Sequence, residues 1–299
     1  MAIITRSGKG SALTHAEMDS NLNNLNNKPS GFKNYIINGG FDVWQRGTSF
    51  SSASNTYVAD RWKMTNTSIE TTVTKVDNGN FNSLRLSLNG GTNGYESIRH
   101  YVEGDKLAGK TVTISFKIKW HTYNPNSYLY RYSSLGGTSI QTGGIGSGTG
   151  EWENISITYT FNSSLAGASY IGIGLLGRGS NTTGDFDFEI ANVQLEEGSV
   201  ATPFEQRPYG LELSLCQRYY WQYVNNPSIV IYASAPYDTN NNRITIPHPA
   251  TMRTTPTVSS AFNNQPSGTH ATIFGTSFFH DAKFRMDTNS HYIKCDAEL

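Results

Sequence analysis

Short runs in which apolar and polar residues alternate dominate the chain from residue 34 to residue 204. In the run 111–120, apolar side chains fall at every second position, and threonine, serine or lysine fills every position between them. A period of two predicts half-buried strands of an antiparallel sheet. Because turn residues separate many such runs, the pattern predicts a β-sandwich of the jelly-roll kind. The predicted strands are residues 35–37, 62–64, 69–75, 83–88, 96–101, 111–120, 128–132, 153–161, 169–175 and 186–195.

A helical period precedes the first of these strands. Thr14 and Glu17 fit a capping box, in which each side chain reaches the backbone amide of the other residue. Met18, Leu22 and Leu25 follow at spacings of four and three, which places them on one stripe of a short helix. A single narrow apolar stripe does not stabilise a lone helix in water. We therefore expect this helix to pack against other copies of itself or against another protein.

The C-terminal third of the chain has a different pattern. Apolar residues at helical spacing predict a short connecting helix over residues 209–223, and a smaller all-β domain follows it. Its predicted strands are residues 229–233, 243–247, 257–262, 272–279, 283–287 and 292–296. The chain is therefore expected to divide into residues 1–31, 32–206 and 207–299.

Composition narrows the classes of function. The 299 residues contain 23 basic and 23 acidic side chains, and charged residues make up only 15% of the chain. Such a balanced charge lacks the basic surface of a dedicated nucleic-acid binder. The first residues include no apolar run typical of a signal peptide, and no stretch of about eighteen apolar residues occurs. We expect no nucleic-acid partner and no membrane insertion.

Several motifs bear on catalysis. The run Gly172–Gly177 matches the dinucleotide fingerprint, but a turn follows it where that motif requires a helix N-terminus. Its glycines instead predict a bulge or a close approach of strands. Cys216 and Cys295 have no neighbouring cysteine, and the seven histidines show no paired metal-ligand spacing. No catalytic residue is predicted, and the chain is not expected to be an enzyme.

Eight segments along the chain carry a family resemblance. They are ITRSGKGSALTHAEMDSNLNNL at 4–25, NGGFDVWQRG at 38–47, ADRW at 59–62, VQLEEG at 193–198, ATPFE at 201–205, CQRYY at 216–220, MRTTPTV at 252–258 and DAEL at 296–299. Together these segments resemble the tail fibre and related structural proteins of tailed bacteriophages. The opening segment is similar to their N-terminal segments, and the following segments resemble their carbohydrate-binding-module-like sandwich and its junction to the C-terminal part.

The resemblance implies a fibre-like homotrimer in a virion, made in the host cytoplasm. Such a fibre attaches by its N-terminus to the phage tail or to an adaptor protein, and it meets the host with its distal β domains. Met18, Leu22 and Leu25 then become the candidate contacts for the trimer or the adaptor. Related sandwiches often hold a structural calcium between the first and last strands, which makes Asp42 and Asp187 candidate ligands. No other cofactor is expected.

Aromatic residues supply the candidate glycan site. Tyr128, Tyr130 and Tyr132 share one face of a predicted strand, and Tyr123 lies in the polar turn before it. An aromatic platform beside hydrogen-bonding side chains suits the C–H faces and hydroxyls of sugars. The alternative is that these rings fill the core, as is expected for Trp44, Trp62 and Trp120.

The sequence therefore predicts a mainly β protein with an N-terminal anchor, a short helix, a jelly-roll sandwich, a connecting helix and a smaller β domain. The predicted function is attachment of a virion fibre to a host-surface polysaccharide. One alternative is an architectural neck, collar or baseplate fibre that has no host ligand. A second alternative, a polysaccharide depolymerase of the tailspike kind, usually carries a long repetitive β-helix, and no repeat occurs here.

Overall fold

The computed structural model describes most of the sandwich and parts of the two ends of the chain. The predictions for Leu22, Leu25 and the strands at 229–233 and 283–287 lie outside the described residues. The described residues are 10–12, 14, 15, 18, 32–51, 55–65, 71–88, 96–125, 127–141, 144–178, 185–224, 236–238, 241–242, 244–261, 272–274, 278–281 and 292–299.

Two antiparallel sheets, each of six strands over the described residues, form a jelly-roll-like sandwich. Sheet A runs in the order β1 (Ser49–Ser51), β4 (Thr71–Asp77), β5 (Asn82–Leu88), β12 (Phe186–Glu197), β7 (Thr111–Thr122) and β10 (Glu153–Thr160). Sheet B runs in the order β2 (Thr56–Tyr57), β3 (Trp62–Thr65), β6 (Glu96–Glu103), β11 (Tyr170–Arg178), β8 (Tyr128–Ser133) and β9 (Thr138–Gln141). The predicted mainly β, jelly-roll fold is confirmed.

The hydrophobic core lies between the two sheets. The apolar positions of β7 all point inward and are buried, as the alternation predicts. Trp62 and Trp120 are 1% and 2% exposed, and Trp44 packs against the core while staying partly exposed. The prediction that these three rings belong to the core is confirmed. Burying apolar surface on this scale is the main source of stability for the sandwich.

The strand predicted at 35–37 is wrong. The side chain of Asn34 accepts hydrogen bonds from the amides of Ile36, at 2.9 Å, and Leu195, at 3.0 Å. The side-chain oxygen of Asn34 thus takes the place of a backbone carbonyl as the acceptor for Leu195 of β12, and this interrupts regular strand pairing. The amide of Tyr35 still donates to the carbonyl of Leu195, at 2.9 Å, so the segment lies along β12 without forming a regular strand.

The C-terminal part begins with the helix α1 (Tyr209–Gln217), which ends earlier than predicted. The residues after it form β13 (Tyr220–Val224), because they pair with β20 (Tyr292–Asp296) across five residue pairs. The predicted helix over 209–223 is therefore correct in its first part and wrong in its second. The other strands are β14 (Pro236–Asp238), β15 (Asn241–Asn242), β16 (Ile244–Pro247), β17 (Thr257–Ala261), β18 (Thr272–Phe274) and β19 (Phe278–Asp281).

The segment at the predicted boundary of 206 bonds back to the sandwich. The guanidinium of Arg207 is buried, donates to the carbonyl of Ile36 at 3.1 Å and lies 3.3 Å from the carboxylate of Glu212. Glu212, on α1, also accepts from the amide of Asn38. Buried charges are stable only when paired and hydrogen-bonded, so these contacts fix α1 to the sandwich.

The last residues of the chain dock on the sandwich through a buried ion cluster. The guanidinium of Arg61, which is 1% exposed, donates to the carboxylate of Glu298. Arg46 lies 3.3 Å from the same carboxylate, and the hydroxyl of Tyr57 donates to the carbonyl of Leu299 at 2.6 Å. Removing one partner of such a buried pair costs about 3–5 kcal/mol, because it leaves an uncompensated charge.

The described N-terminal residues show one helical turn. The amide of Met18 donates to the carbonyl of Thr14 at 3.0 Å, and the Met18 side chain is 39% exposed. No helix among the described residues is long and apolar enough to cross a membrane.

Candidate functional site

The outer face of sheet B combines tyrosines, cations and glycines. In β6, Ile98, His100 and Val102 point into the core, so the odd-numbered residues from 97 to 103 point outward. In β11, isoleucine and leucine point inward, and Gly172 and Gly174 lie on the outer side. At these two positions β11 presents no side chain between the large side chains of β6 and β8, while Tyr170 at the start of β11 packs edge-on against Tyr101 at a centroid distance of 5.1 Å.

Two rows of residues cross the centre of this face. In the first row, Gly172 of β11 pairs with Tyr101 on one side and with Tyr132 on the other. In the second row, Gly174 pairs with Arg99 and Tyr130. Pairing along the second row continues from Arg99 to Lys63 of β3, and from Lys63 to Tyr57 of β2. The second row thus combines aromatic and cationic side chains around one glycine.

Both glycines are required by the rings that cover them. A β-carbon at Gly172 would lie 2.6 Å from a ring carbon of Tyr101, and one at Gly174 would lie 2.5 Å from a ring carbon of Tyr132. Real β-carbons do not approach ring carbons this closely, so any larger residue would push the rings away. The sequence predicts a bulge or a close approach of strands at these glycines, and the pairing of β11 does shift its register after Leu175. At Gly172 and Gly174 themselves, rings from the neighbouring strands fill the space that side chains would take.

The rings and one guanidinium form a stack. The ring centroids of Tyr130 and Tyr132 are 4.6 Å apart at an angle of 46°, and Cζ of Arg99 lies 3.6 Å from the Tyr132 centroid. Nε of Arg99 donates to Oγ of Ser97 at 2.8 Å, which holds the guanidinium in place. Burial raises the pKa of Tyr132, and Arg99 and Ser97 only partly offset this effect. The Tyr132 hydroxyl is therefore neutral at physiological pH.

The C-terminal part borders this face on one side. Nζ of Lys63 lies 5.5 Å from the ring centroid of Tyr57, whose hydroxyl is held by the carbonyl of Leu299. Burial is the largest cause that raises the pKa of Tyr57. The carboxylate of Glu103 lies 3.7 Å from the guanidinium of Arg253, which in turn donates to the carbonyl of Ala297 at 3.0 Å. The rim is therefore built from both the sandwich and the C-terminal part.

The candidate tyrosines occupy two places in the structure. Tyr130 and Tyr132 lie together on the outer face of sheet B. Tyr128 begins β8, where its backbone pairs with Gly177, and its side chain lies outside the described part. Tyr123 lies in the connection between β7 and β8, where its ring packs edge-on against Trp120 at a centroid distance of 5.2 Å.

Tyr123 is further held by the loop that follows β9. Its hydroxyl donates to the carbonyl of Gly146 at 3.2 Å, and β-carbons at Gly144 or Gly148 would lie 2.6 Å from its atoms. The ring therefore supports this loop and the edge of the core.

The candidate calcium ligands have separate partners. Both oxygens of Asp187 accept hydrogen bonds from Arg85, at 2.7 and 2.9 Å. Oδ1 of Asp42 accepts from Asn82 at 2.6 Å, and its Oδ2 accepts from Gln206 at 3.3 Å. Within the described ranges, no group of three or more histidine, cysteine, aspartate or glutamate side chains is placed to hold a metal ion. The structure thus brings Asp42 and Asp187 to no shared site among these residues.

Asp42 instead lines a polar surface cavity of about 500 Å³. This cavity lies on the side of the sandwich formed by the turn between β4 and β5. The other side chains that line it are Asp77, Asn80, Phe81, Asn82, Asn192 and Gln206.

The sequence did not point to Tyr101, Arg99 or Lys63 as part of the site. Arg99 and Tyr101 alternate with buried residues, as Tyr130 and Tyr132 do, so the period of two was a usable signal. What the sequence does not reveal is which strands are neighbours, and this decides which residues meet on one face.

Comparison with protein families finds no matching family model, and no curated protein matches the chain. Among solved structures, the chain is similar to the enzymatically active domain of tailspike protein 4 of bacteriophage CBA120. The identity is 17% and the TM-score 0.35, and the match covers 56% of this chain but only 22% of that one.

Two carbohydrate-binding modules are similar at the same level. TmCBM61, solved with beta-1,4-galactotriose, is 15% identical with a TM-score of 0.34, and the match covers 56% of this chain and all of that one. The CBM22-1 xylan-binding domain of Paenibacillus barcinonensis Xyn10C is 14% identical with a TM-score of 0.33, covering 51% of this chain and 94% of that one. Likeness at this level transfers no ligand to the present chain, whose candidate site stands on its own geometry.

Proposed function

We propose that this chain is a non-enzymatic fibre subunit that attaches a virion to a host-surface polysaccharide through the outer face of sheet B. The observation that carries the proposal is the stack of Tyr130, Tyr132 and Arg99 beside the glycines of β11. Sugar rings pack their C–H faces on aromatic rings, and their hydroxyls bond to charged and polar side chains. This face offers both kinds of contact along one row.

Partial exposure of the rings supports a binding role. Tyr130 and Tyr132 lie on the side of the sheet away from the core and are only partly buried. Leu129, on the opposite side of the same strand, is fully buried. The strand therefore supplies Leu129 to the core and presents Tyr130 and Tyr132 on its outer face.

Among its described side chains, this face lacks the pair of carboxyl groups that hydrolysis of a glycosidic bond requires. Glycoside hydrolases use two carboxyl groups that flank the scissile bond, about 5–10 Å apart. Two carboxylates lie at the rim, and each is paired with a guanidinium, Glu103 with Arg253 and Glu298 with Arg61. We therefore assign the face to binding without cleavage.

Assembly completes the proposal. We assign Met18, Leu22 and Leu25 to contacts within a homotrimer or with a tail adaptor, since three such stripes can bury one another around a shared axis. Three weak sites on one fibre would then add through effective concentration. Light scattering after gel filtration should give three times the mass of one chain, and a single-chain mass at micromolar concentration would contradict the assembly.

The binding proposal is tested with Tyr130→Ala and a matched control, Trp152→Ala. Trp152 is also partly exposed, but it packs edge-on against Phe81 on the outer side of sheet A. On an array of bacterial surface polysaccharides, Tyr130→Ala should weaken binding about tenfold or more, which corresponds to about 1.4 kcal/mol. Trp152→Ala should bind like the unmodified chain.

Stability must be followed in the same samples. Truncation of a core aromatic costs about 3–5 kcal/mol, so a loss of that size in Tyr130→Ala would show that the ring belongs to the core. Unchanged binding by Tyr130→Ala, or an equal loss in Trp152→Ala, would overturn the assignment of this face.

A further inference from the structure

Two cations lie directly opposite one another on the outer face of sheet B. Lys63 of β3 pairs with Arg99 of β6, and both point outward and are partly exposed. Like charges that face each other across antiparallel strands are destabilising. A fold keeps such a pair at a cost unless something of opposite charge joins it.

Among the described residues, no carboxylate lies within ion-pair distance of either cation. Arg99 bonds to Ser97 and stacks on Tyr132, and Lys63 lies near the ring of Tyr57. These contacts position the two cations without neutralising them. Their charges are therefore available to a ligand.

The carboxylates at the rim are already occupied. Glu298 is held by Arg61 and Arg46, and Glu103 lies 3.7 Å from Arg253. Lys63 and Arg99 add two positive charges, while the single charges of Glu103 and Arg253 cancel. The whole chain has a net charge of zero, so this local excess is a property of the face and not of the composition.

The guanidinium of Arg99 is placed to receive a carboxylate. Its Nε is used by Ser97, and its plane is supported by Tyr132, which leaves the two terminal amino groups for another partner. A guanidinium binds a carboxylate through two parallel hydrogen bonds, which gives geometric selectivity as well as attraction. Tyr130 and Arg99 flank Gly174 on the neighbouring strands, and the ring of Tyr132 lies over this glycine between them, so a sugar ring stacked on the two tyrosines would carry its substituents towards the cations.

We propose that this face selects a polysaccharide that carries carboxylate groups, such as a polymer of uronic acids. The sugar ring packs on Tyr130, and its carboxylate bridges Arg99 and Lys63. This inference rests on the proposed binding function, since it names the class of saccharide that the same face takes.

The test uses the full chain with polygalacturonate, alginate and hyaluronan, each compared with its own carboxyl-reduced form. Reduction converts each carboxylate to a neutral hydroxymethyl group and leaves the backbone of the polymer intact. We expect binding to at least one acidic polymer, and at least about tenfold weaker binding to its reduced form. Binding should also weaken as NaCl rises from about 50 to about 500 mM, because salt screens exposed charges.

Two variants locate the effect. Arg99→Gln and Lys63→Gln should each weaken binding to the acidic polymer about tenfold, with an unchanged melting temperature. Lys117→Gln is the matched control, because Lys117 lies 4.8 Å from the ring of Phe81 on the outer side of sheet A and should not matter.

The outcomes separate the two proposals. Equal binding to acidic and reduced polymers, or binding only to neutral saccharides on the array, would overturn the charge selectivity and leave the binding function intact. Loss of acidic-polymer binding in Lys117→Gln as large as in Arg99→Gln would also overturn it. Binding to no saccharide of either kind would overturn the binding function itself.

Discussion

On the outer face of sheet A, the carboxylates of β12 pair with side chains of neighbouring strands, whereas on the outer face of sheet B the cations Lys63 and Arg99 lie against aromatic rings. In sheet A, Arg85 of β5 holds Asp187 of β12 through two hydrogen bonds. Glu189 of β12 accepts from the Ser83 hydroxyl at 2.6 Å and lies 2.8 Å from the His121 ring. In this group, each carboxylate has partners on an adjacent strand.

The difference shows how one sandwich can present two kinds of surface. Cross-strand pairs such as Arg85 and Asp187 satisfy each other and contribute only modestly to stability. On sheet B, Lys63 and Arg99 face each other, and glycines beside them leave room for rings. On the first surface these charges are paired within the protein, whereas on the second surface two like charges face each other.

The largest effect should come from filling the space above β11. Gly174→Val would bring a branched side chain against the ring of Tyr132, which lies 2.5 Å from even a β-carbon. We expect a loss of about 3 kcal/mol in the free energy of unfolding, together with loss of saccharide binding. Ser87→Val, at an outer position of β5 in sheet A, is the control and should preserve binding. Intact binding in Gly174→Val would show that the ring stack is not needed.

A smaller effect is expected from the buried carboxylate of sheet A. Glu189 is 5% exposed, and Glu189→Ala would leave the Ser83 hydroxyl and the His121 ring without their acceptor. Urea unfolding should show a loss of about 2 kcal/mol, with saccharide binding unchanged. If binding fell as well, the two faces would not be independent.

Lowering the pH should reduce the stability that Glu189 contributes and increase the stability that Asp60 contributes. Burial raises the pKa of the Glu189 carboxyl, but hydrogen bonds from Ser83, His121 and Asn78 outweigh it and leave the pKa below its ordinary value. The stability that Glu189 contributes is therefore present above the ordinary pKa of about 4.3, and it is lost as pH falls through the folded-state pKa.

Asp60 behaves in the opposite way. Burial raises its pKa to about 6, and Arg46 and Gln45 only partly offset this. Its contribution is present below the ordinary pKa of about 3.9 and is lost as pH rises through about 6. Urea unfolding from pH 3 to 7 measures the free energy of unfolding of the unmodified chain and of each variant. The difference between the unmodified chain and Glu189→Gln should become smaller as the pH falls. The difference between the unmodified chain and Asp60→Asn should become smaller as the pH rises towards 7. If both free-energy differences changed with pH in the same direction, the opposite roles of the two carboxyl groups would be contradicted.

The smallest effect is expected from the exposed pair of sheet A. The side chain of Arg85 is 42% exposed, and exposed ion pairs contribute at most about 1 kcal/mol. Asp187→Asn should therefore change the melting temperature only slightly and leave saccharide binding unaltered. A large loss of stability would assign Asp187 a role beyond its pairing with Arg85.

The sequence predicted where the strands lie along the chain better than it predicted which segments pair with one another. The alternation in β7 is strong enough to place each of its side chains inside or outside, because a strand has only two faces. The strand at 35–37 was wrong because the side chain of Asn34 replaces a backbone partner, and no periodicity records such a substitution. The end of α1 was misjudged because β13 is fixed by pairing with β20, far away in sequence.

The candidate site was predicted in part for the same reason. Tyr130 and Tyr132 share a face by local geometry alone, so the sequence was sufficient to place them together. Arg99 and Gly174 join them only through strand pairing across β6, β11 and β8, which no local pattern encodes. The role of the glycines in accepting rings likewise depends on which residues lie on the neighbouring strands.

The contact between Arg61 and Glu298 can form only late in the synthesis of the chain. The two residues are 237 positions apart, so the ribosome adds Glu298 on the order of tens of seconds after Arg61. During that interval the guanidinium of Arg61 has the carbonyl of Tyr101 as a partner, at 2.6 Å in the finished fold, but lacks its carboxylate. The nascent sandwich therefore carries a buried guanidinium without its carboxylate until β20 and the residues that follow it have been made, and their docking supplies the missing charge.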